Sequence, residues 1–198
     1  MSSRLLGRAV LFGGEVLLQA EFAAEVVRRI KREDIQVALD TSCFGAQEKL
    51  LELASLCDLL LVDIKLMDPV RHKQMTGQDN RLILDNIRAL GDLLREREAL
   101  RMWIRTPIIP GATDDADNIR RIGEFICTEL PPQSVERWDL LLFHNMCKTK
   151  YRELWMDWQY ADVPLITKPQ AALLEETALV SGVSREKIHV MGLAVDAD

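Results

Sequence analysis

Short apolar runs alternate with amphipathic stretches along almost the whole chain. Strand-like segments fall at Arg8–Phe12, Ile35–Leu39, Leu59–Val62, Arg101–Ile104 and Trp138–Phe143. The fourth continues to Ile109, where Pro110–Gly111 signals a turn. Leu59, Leu60, Leu61 and Val62 form an unbroken apolar run, as expected of a strand covered on both faces. Between the strands the period lengthens. Leu18, Phe22, Val26 and Ile30 predict the buried stripe of a helix over residues 15–31. A short helix is expected over Gln47–Ser55, and another starts at Asp68–Pro69, with Asp as cap and Pro in the first turn. A longer one is expected over Asn80–Arg97. Residues 113–130 read as a helix opened by Asp114 and Asp115, well placed for its dipole, and ended by Pro131–Pro132. A polar loop then runs to about Thr167, before a helix over Pro169–Ser181 and a short sixth strand over Lys187–Met191. Strand and helix in strict alternation imply a parallel sheet. The expected fold class is α/β: a partial (β/α) barrel of about six parallel strands in a single domain over residues 1–198, with a doubly wound open sheet as the alternative.

Composition narrows this little. The chain has 198 residues, 48% hydrophobic and 28% charged, ordinary for a globular domain. The net charge of −6 argues against a general nucleic-acid or membrane binder, both of which want a basic surface. No apolar run is long enough to span a bilayer, and the start lacks a signal-peptide layout, because Arg8 interrupts its apolar stretch; a cytoplasmic location is expected. Cysteines stand at 43, 57, 127 and 147, none in a metal-ligand spacing, and reduced, mostly buried thiols are expected.

Polar residues at the strand ends change the picture. Each strand-like segment runs into one or more of them: Glu15, Asp40 with Thr41, Asp63 with Lys65, Arg105, and His144. In parallel sheets ligands bind at the carboxyl ends of strands, so one rim would collect all of these groups. Gly13–Gly14–Glu15 would let a ligand approach the backbone while a carboxylate holds an ammonium group, or would be a plain turn whose Glu starts a helix. Asp40–Thr41–Ser42 fits a cation site or a helix cap. Asp63 and Lys65 lie on one side of an extended chain, as an ion pair or as site residues. Arg105 sits in an apolar strand and needs a partner. His144 ends an apolar run, where a histidine is either structural or functional. Trp103 and Trp138 read as strand packing; Trp155 and Trp158, in the loop WMDWQY, would cover a pocket or a partner surface.

Five ordered stretches carry a resemblance: GGEVLLQAEF at 13–22, ALDTS at 38–42, DLLLVDIKLMD at 58–68, WIRTPIIPGATDD at 103–115 and LLLFHNMCKTKY at 140–151. The chain resembles the activating enzymes of glycyl radical enzymes, within the radical S-adenosylmethionine superfamily. The resemblance implies that Gly13, Gly14 and Glu15 meet the amino group of S-adenosylmethionine. It implies that Asp40, Thr41 and Asp63 lie by a monovalent cation at the ligand's carboxylate. Lys65, Arg105 and His144 would contact the ligand or position the target glycine. The implied chemistry is reductive cleavage of S-adenosylmethionine at a [4Fe–4S] cluster. The 5′-deoxyadenosyl radical then takes a hydrogen from a glycine Cα of a partner glycyl radical enzyme, with flavodoxin or ferredoxin as electron donor. The cofactors carry the hard step, and the protein binds and orients.

The chain also departs from that family. It lacks the CxxxCxxC loop that holds the cluster, and the resemblance places its start just before the family's second strand, so the barrel is expected to miss its first. Cys43 and Cys147 stand where the family has glycine, Phe12 where it has serine, and Val16 where it has proline. Two rim thiols are too few for a cluster, so no native cluster and no turnover by this chain alone are expected. Cys43 and Cys147 as neighbours would bind a metal or pair on oxidation. An exposed sheet edge would favour dimerisation or low solubility. Two further readings stand beside the activase body: a non-catalytic fragment that binds a glycyl radical enzyme or S-adenosylmethionine, and a Schiff-base lyase built on Lys65, with Asp63 or His144 as its acid–base partner.

Overall fold

A computed structural model describes residues 7–197, with all side chains among them except those of Cys147 and Lys150. The strands β1 (Arg8–Leu11), β2 (Gln36–Thr41), β3 (Leu59–Asp63), β4 (Arg101–Ile108), β5 (Val135–Leu142) and β6 (Ile188–Met191) form one sheet in the order β1-β2-β3-β4-β5-β6. Every pairing is parallel. A doubly wound sheet reverses its strand order part-way, so this unbroken order decides for the partial barrel. Among the described residues, seven α-helices connect or flank the strands: α1 (Ala20–Arg32), α2 (Gln47–Ser55), α3 (Pro69–Thr76), α4 (Arg81–Glu96), α5 (Ala116–Glu129), α6 (Cys147–Glu153) and α7 (Lys168–Val180). None of these helices is long and apolar enough to cross a membrane.

The core lies between the sheet and its helices. Leu60 and Val62 of β3, Met102 and Ile104 of β4, and Leu140 of β5 are fully buried on that face. Trp138 joins them, its indole N–H donating to Thr106 Oγ1 at 3.0 Å. The other face is only half covered. Leu59 and Leu61, expected to be buried, are half-buried, because six strands in a partial barrel leave the interior unfilled.

The stripe predicted for α1 holds only in its second half, where Val26 is half-buried and Ile30 packs on the core. Leu18 and Phe22 are 80% and 69% exposed, while Leu17, Ala20, Ala23, Ala24 and Val27 are buried. Alanines let the helix approach the sheet closely, and the larger residues are left outside. Helix α2 has the predicted bounds, and α3 starts as predicted: Asp68 accepts from the backbone of Val70 and Arg71 at 2.9 and 2.8 Å. Helix α5 starts three residues later than predicted. Asp115 caps it by accepting from Asn118 N, and Asp114 closes the preceding turn by accepting from Gly111 N. The loop expected after β5 contains α6.

Candidate active site at the strand ends

The rim residues meet through loops that the backbone pattern dictates. Glu15 is extended and performs two tasks at once. Its Oε1 accepts from Leu17 N at 3.1 Å, capping a single 3-10 turn, and from Thr41 Oγ1 at 2.7 Å. Its Oε2 accepts from Ser42 N at 2.9 Å and from the Ser42 hydroxyl. The turn cap and the polar site read from the sequence are therefore the same carboxylate, which ties the loop after β1 to the loop after β2.

Arg105 forms the centre. Its Nη1 and Nη2 grip the two oxygens of Asp40, the first at 2.9 Å. Its Nε donates to Asp63 Oδ1 at 3.0 Å, and Nη2 lies 2.8 Å from the same oxygen. Lys65 Nζ donates to Asp63 Oδ2 at 3.0 Å. The arginine side chain is 18% exposed. Burial alone would lower the guanidinium pKa, but hydrogen bonds and charge from Asp40 and Asp63 outweigh it and hold the pKa above its ordinary value. Both carboxylates expected beside a cation thus face a guanidinium. Among the described residues no group of three His, Cys, Asp or Glu side chains is placed to hold a metal ion.

His144 follows β5 and is exposed. It borders an apolar cavity of about 490 Å³ with Pro107, Ile109, Phe143 and Tyr160. Trp158 also lines this cavity, and both loop tryptophans line a neighbouring groove. A second cavity, of about 230 Å³, opens beside Asp63 and Lys65 against Phe44, His72 and Ile83.

Two buried asparagines support the rim and escape a reading by motif. Asn86 of α4 donates to Cys43 O at 2.7 Å and Gly45 O at 2.9 Å, fixing the loop after β2. Asn118 of α5 accepts from Met67 N and donates to Lys65 O, both at 2.9 Å, fixing the loop that carries Lys65. Their signal is a polar residue inside the apolar stripe of each helix. Arg137 and Asp139 of β5 were also missed. Their side chains pair, and Asp139 lies level with Arg105 in the sheet register. The guanidinium of Arg137 sits 4.7 Å above the Trp103 ring.

The described thiols are scattered. Cys43 adopts φ +60 and is fully buried; burial pushes its thiol well above the ordinary range, and Glu15 and Asp63 add to this. Cys57 precedes β3, at the opposite end of the sheet, where burial and then Asp58 push its thiol up to about 12. Cys127, on α5, is exposed, against the expectation of burial. The side chain of Cys147 lies outside the described set, and with it the question whether Cys147 and Cys43 are neighbours.

A sequence profile of the Radical SAM superfamily matches residues 3–122. The chain belongs to the radical SAM superfamily. The pyruvate formate-lyase 2-activating enzyme of Escherichia coli (strain K12) is 32% identical over 177 residues, covering 89% of this chain and 58% of that protein. The choline trimethylamine-lyase activating enzyme of Oleidesulfovibrio alaskensis is 34% identical over 154 residues, covering 78% and 47%. The chain thus spans about half the length of these relatives, which are activating enzymes of glycyl radical enzymes. The crystal structure of a domain of pyruvate-formate lyase-activating enzyme from Bacteroides vulgatus superposes with a TM-score of 0.74 at 26% identity, covering 94% of this chain and 99% of that one.

Radical SAM membership implies S-adenosylmethionine and a [4Fe–4S] cluster. The described cysteines do not fit the cluster: Cys43, Cys57 and Cys127 lie in the core, at the far end of the sheet and on an outer helix, and three converging thiolates are needed. Two glycines leave open space at the rim. A Cβ placed on Gly13 or Gly14 would meet nothing within 4 Å, and neither residue has positive φ. Neither packing nor backbone conformation requires glycine there; close approach of a ligand would.

Proposed function

We propose that this chain is the body of a glycyl radical enzyme activase that binds S-adenosylmethionine at the rim and presents it to a glycine of a partner enzyme. The observation that carries this reading is the open space at Gly13 and Gly14 beside a fixed carboxylate. The ligand's ammonium group would lie against Glu15 and the backbone of the two glycines. Its carboxylate would meet the cationic side of the cluster, Arg105 and Lys65, with Asp40, Thr41 and Asp63 as the wall that holds those cations in place or admits a monovalent cation. His144 and its apolar cavity would take the adenosyl portion, since a pocket of this size with one polar group suits a flat heteroaromatic ring. In the complete enzyme, an electron from the [4Fe–4S] cluster would cleave a carbon–sulfur bond of S-adenosylmethionine to methionine and the carbon-centred radical that takes a hydrogen atom from the glycine Cα. The residues of this chain bind, orient and exclude water. A flavodoxin or ferredoxin would serve as electron donor to the complete enzyme.

The scattered thiols favour binding without turnover by the chain itself, so the non-catalytic reading describes the same site in another assay. Calorimetric titration with S-adenosylmethionine tests both. Gly14→Leu should abolish binding at unchanged melting temperature, because the added side chain enters open space. Wild-type protein that binds no S-adenosylmethionine would overturn the proposal. Cleavage to 5′-deoxyadenosine by the reconstituted chain would overturn the non-catalytic reading.

A further inference from the structure

We propose that Trp155 is an anchor by which the chain docks a glycyl radical enzyme, and that it seats a protein surface bearing an apolar pocket. This rests on the activase reading above. Helix α6 ends in a Schellman motif: Trp155 N donates to Arg152 O at 3.2 Å and Met156 N donates to Tyr151 O at 3.0 Å. That geometry forces the residue after the cap into the left-handed region, and Trp155 sits there at φ +54. Glycine is the residue this position favours; a side chain there opposes folding. The indole gains nothing in return from the chain, since it is 95% exposed. A large apolar side chain held in an unfavourable conformation and presented to water is explained by a contact outside the chain.

Its surroundings point to a protein surface. Its chain neighbours Leu154 and Met156 are exposed with it. Trp155 and Met156 line one side of a groove of about 540 Å³ together with Lys148, Tyr151, Arg152, Asp157 and Trp158. An aromatic anchor beside a leucine and a flexible methionine, rimmed by charges of both signs, has the composition of an interface centre. The patch is also continuous with the rim. Trp158 stacks on Tyr151 at 5.6 Å and contacts Phe143, next to His144, at 5.8 Å. A partner that delivers a glycine to the rim therefore covers Trp155 in the same approach.

The test uses the full chain and two purified probes, pyruvate formate-lyase and choline trimethylamine-lyase, immobilised for binding by interferometry. S-adenosylmethionine titration and thermal unfolding run in parallel. Wild type should bind at least one enzyme. Trp155→Gly should bind it at least tenfold more weakly, bind S-adenosylmethionine as before, and melt several degrees higher because the left-handed position is relieved. Leu173→Ala, an exposed apolar change on α7, should alter none of these. Equal partner binding by Trp155→Gly, a lower melting temperature for it, or a wild type that binds S-adenosylmethionine but neither enzyme would each overturn the anchor. A wild type that fails to bind S-adenosylmethionine would instead overturn the activase reading on which the anchor rests.

Discussion

Replacing Arg105 by methionine keeps the volume of the side chain and removes the centre of the ionic cluster. Asp40 loses both of its guanidinium contacts, and Asp63 retains only Lys65. Removing one partner of a buried pair costs about 3–5 kcal/mol, chiefly because the charge left behind is desolvated. Here the side chains of Arg105, Asp40 and Asp63 are 18%, 28% and 20% exposed, so water relieves part of that penalty. The expected loss is about 2–3 kcal/mol. In a chain of this length that corresponds to a fall of roughly 5–10 °C in melting temperature. Asp40→Asn alone should cost less, because Arg105 keeps Asp63. Combined with Arg105→Met it should recover part of the loss, since one of the two opposed carboxylates is gone. Thermal unfolding of the four proteins measures the coupling. A melting temperature for Arg105→Met within a degree of wild type, or strictly additive losses, would refute the picture of Arg105 as a clamp on two carboxylates. S-adenosylmethionine titration separates fold from function: the double variant should remain unable to bind even where its stability returns.

Gly123→Ala should destabilise the chain by about 3 kcal/mol, because the new Cβ would overlap Ser181 Cβ and Oγ where α5 meets α7; Ser181→Gly in the same chain should restore most of the loss by urea unfolding. Asp58 accepts from Lys31 and from Val37 N, and although burial alone would raise its pKa, these bonds and charges lower it below the ordinary 3.8. A lowered native pKa contributes stability above the unfolded value and loses it as pH falls through the native one. The urea midpoint of Asp58→Asn should therefore lie below wild type near neutrality and converge with it below about pH 3.8. Among the described residues β1 pairs only with β2, beside exposed Val10, Phe12 and Phe22. Sedimentation should show concentration-dependent association that Val10→Lys reduces, and identical profiles would count against edge pairing.

Much of the rim was legible because a strand alternates. In WIRTP an arginine occupies a position facing the same side as Trp103, and a charge at such a position has to find a partner across the sheet. The same rule points to Arg137 and Asp139 in RWDLLL, yet two opposite charges two residues apart satisfy each other locally and raise no demand for a partner. The face of α1 misleads for a different reason: burial follows closeness of approach, and the alanines win it although the larger apolar residues define the stronger stripe. The strand order that excludes a doubly wound sheet is a property of pairings between distant segments and has no local signature. Asn86 and Asn118 are the instructive cases. Each occupies a core position on its helix, where a polar side chain carries a penalty unless its bonds are made, and each donates its amide N–H to loops that carry rim residues, Asn86 doing so although its own Oδ1 has no partner. A buried amide in a helix stripe is therefore a pointer to whatever loop it holds. Here both amides hold the loops that bring Thr41 and Lys65 to Glu15 and Asp63. The cluster is preorganised from the helical layer behind it rather than by the strands alone.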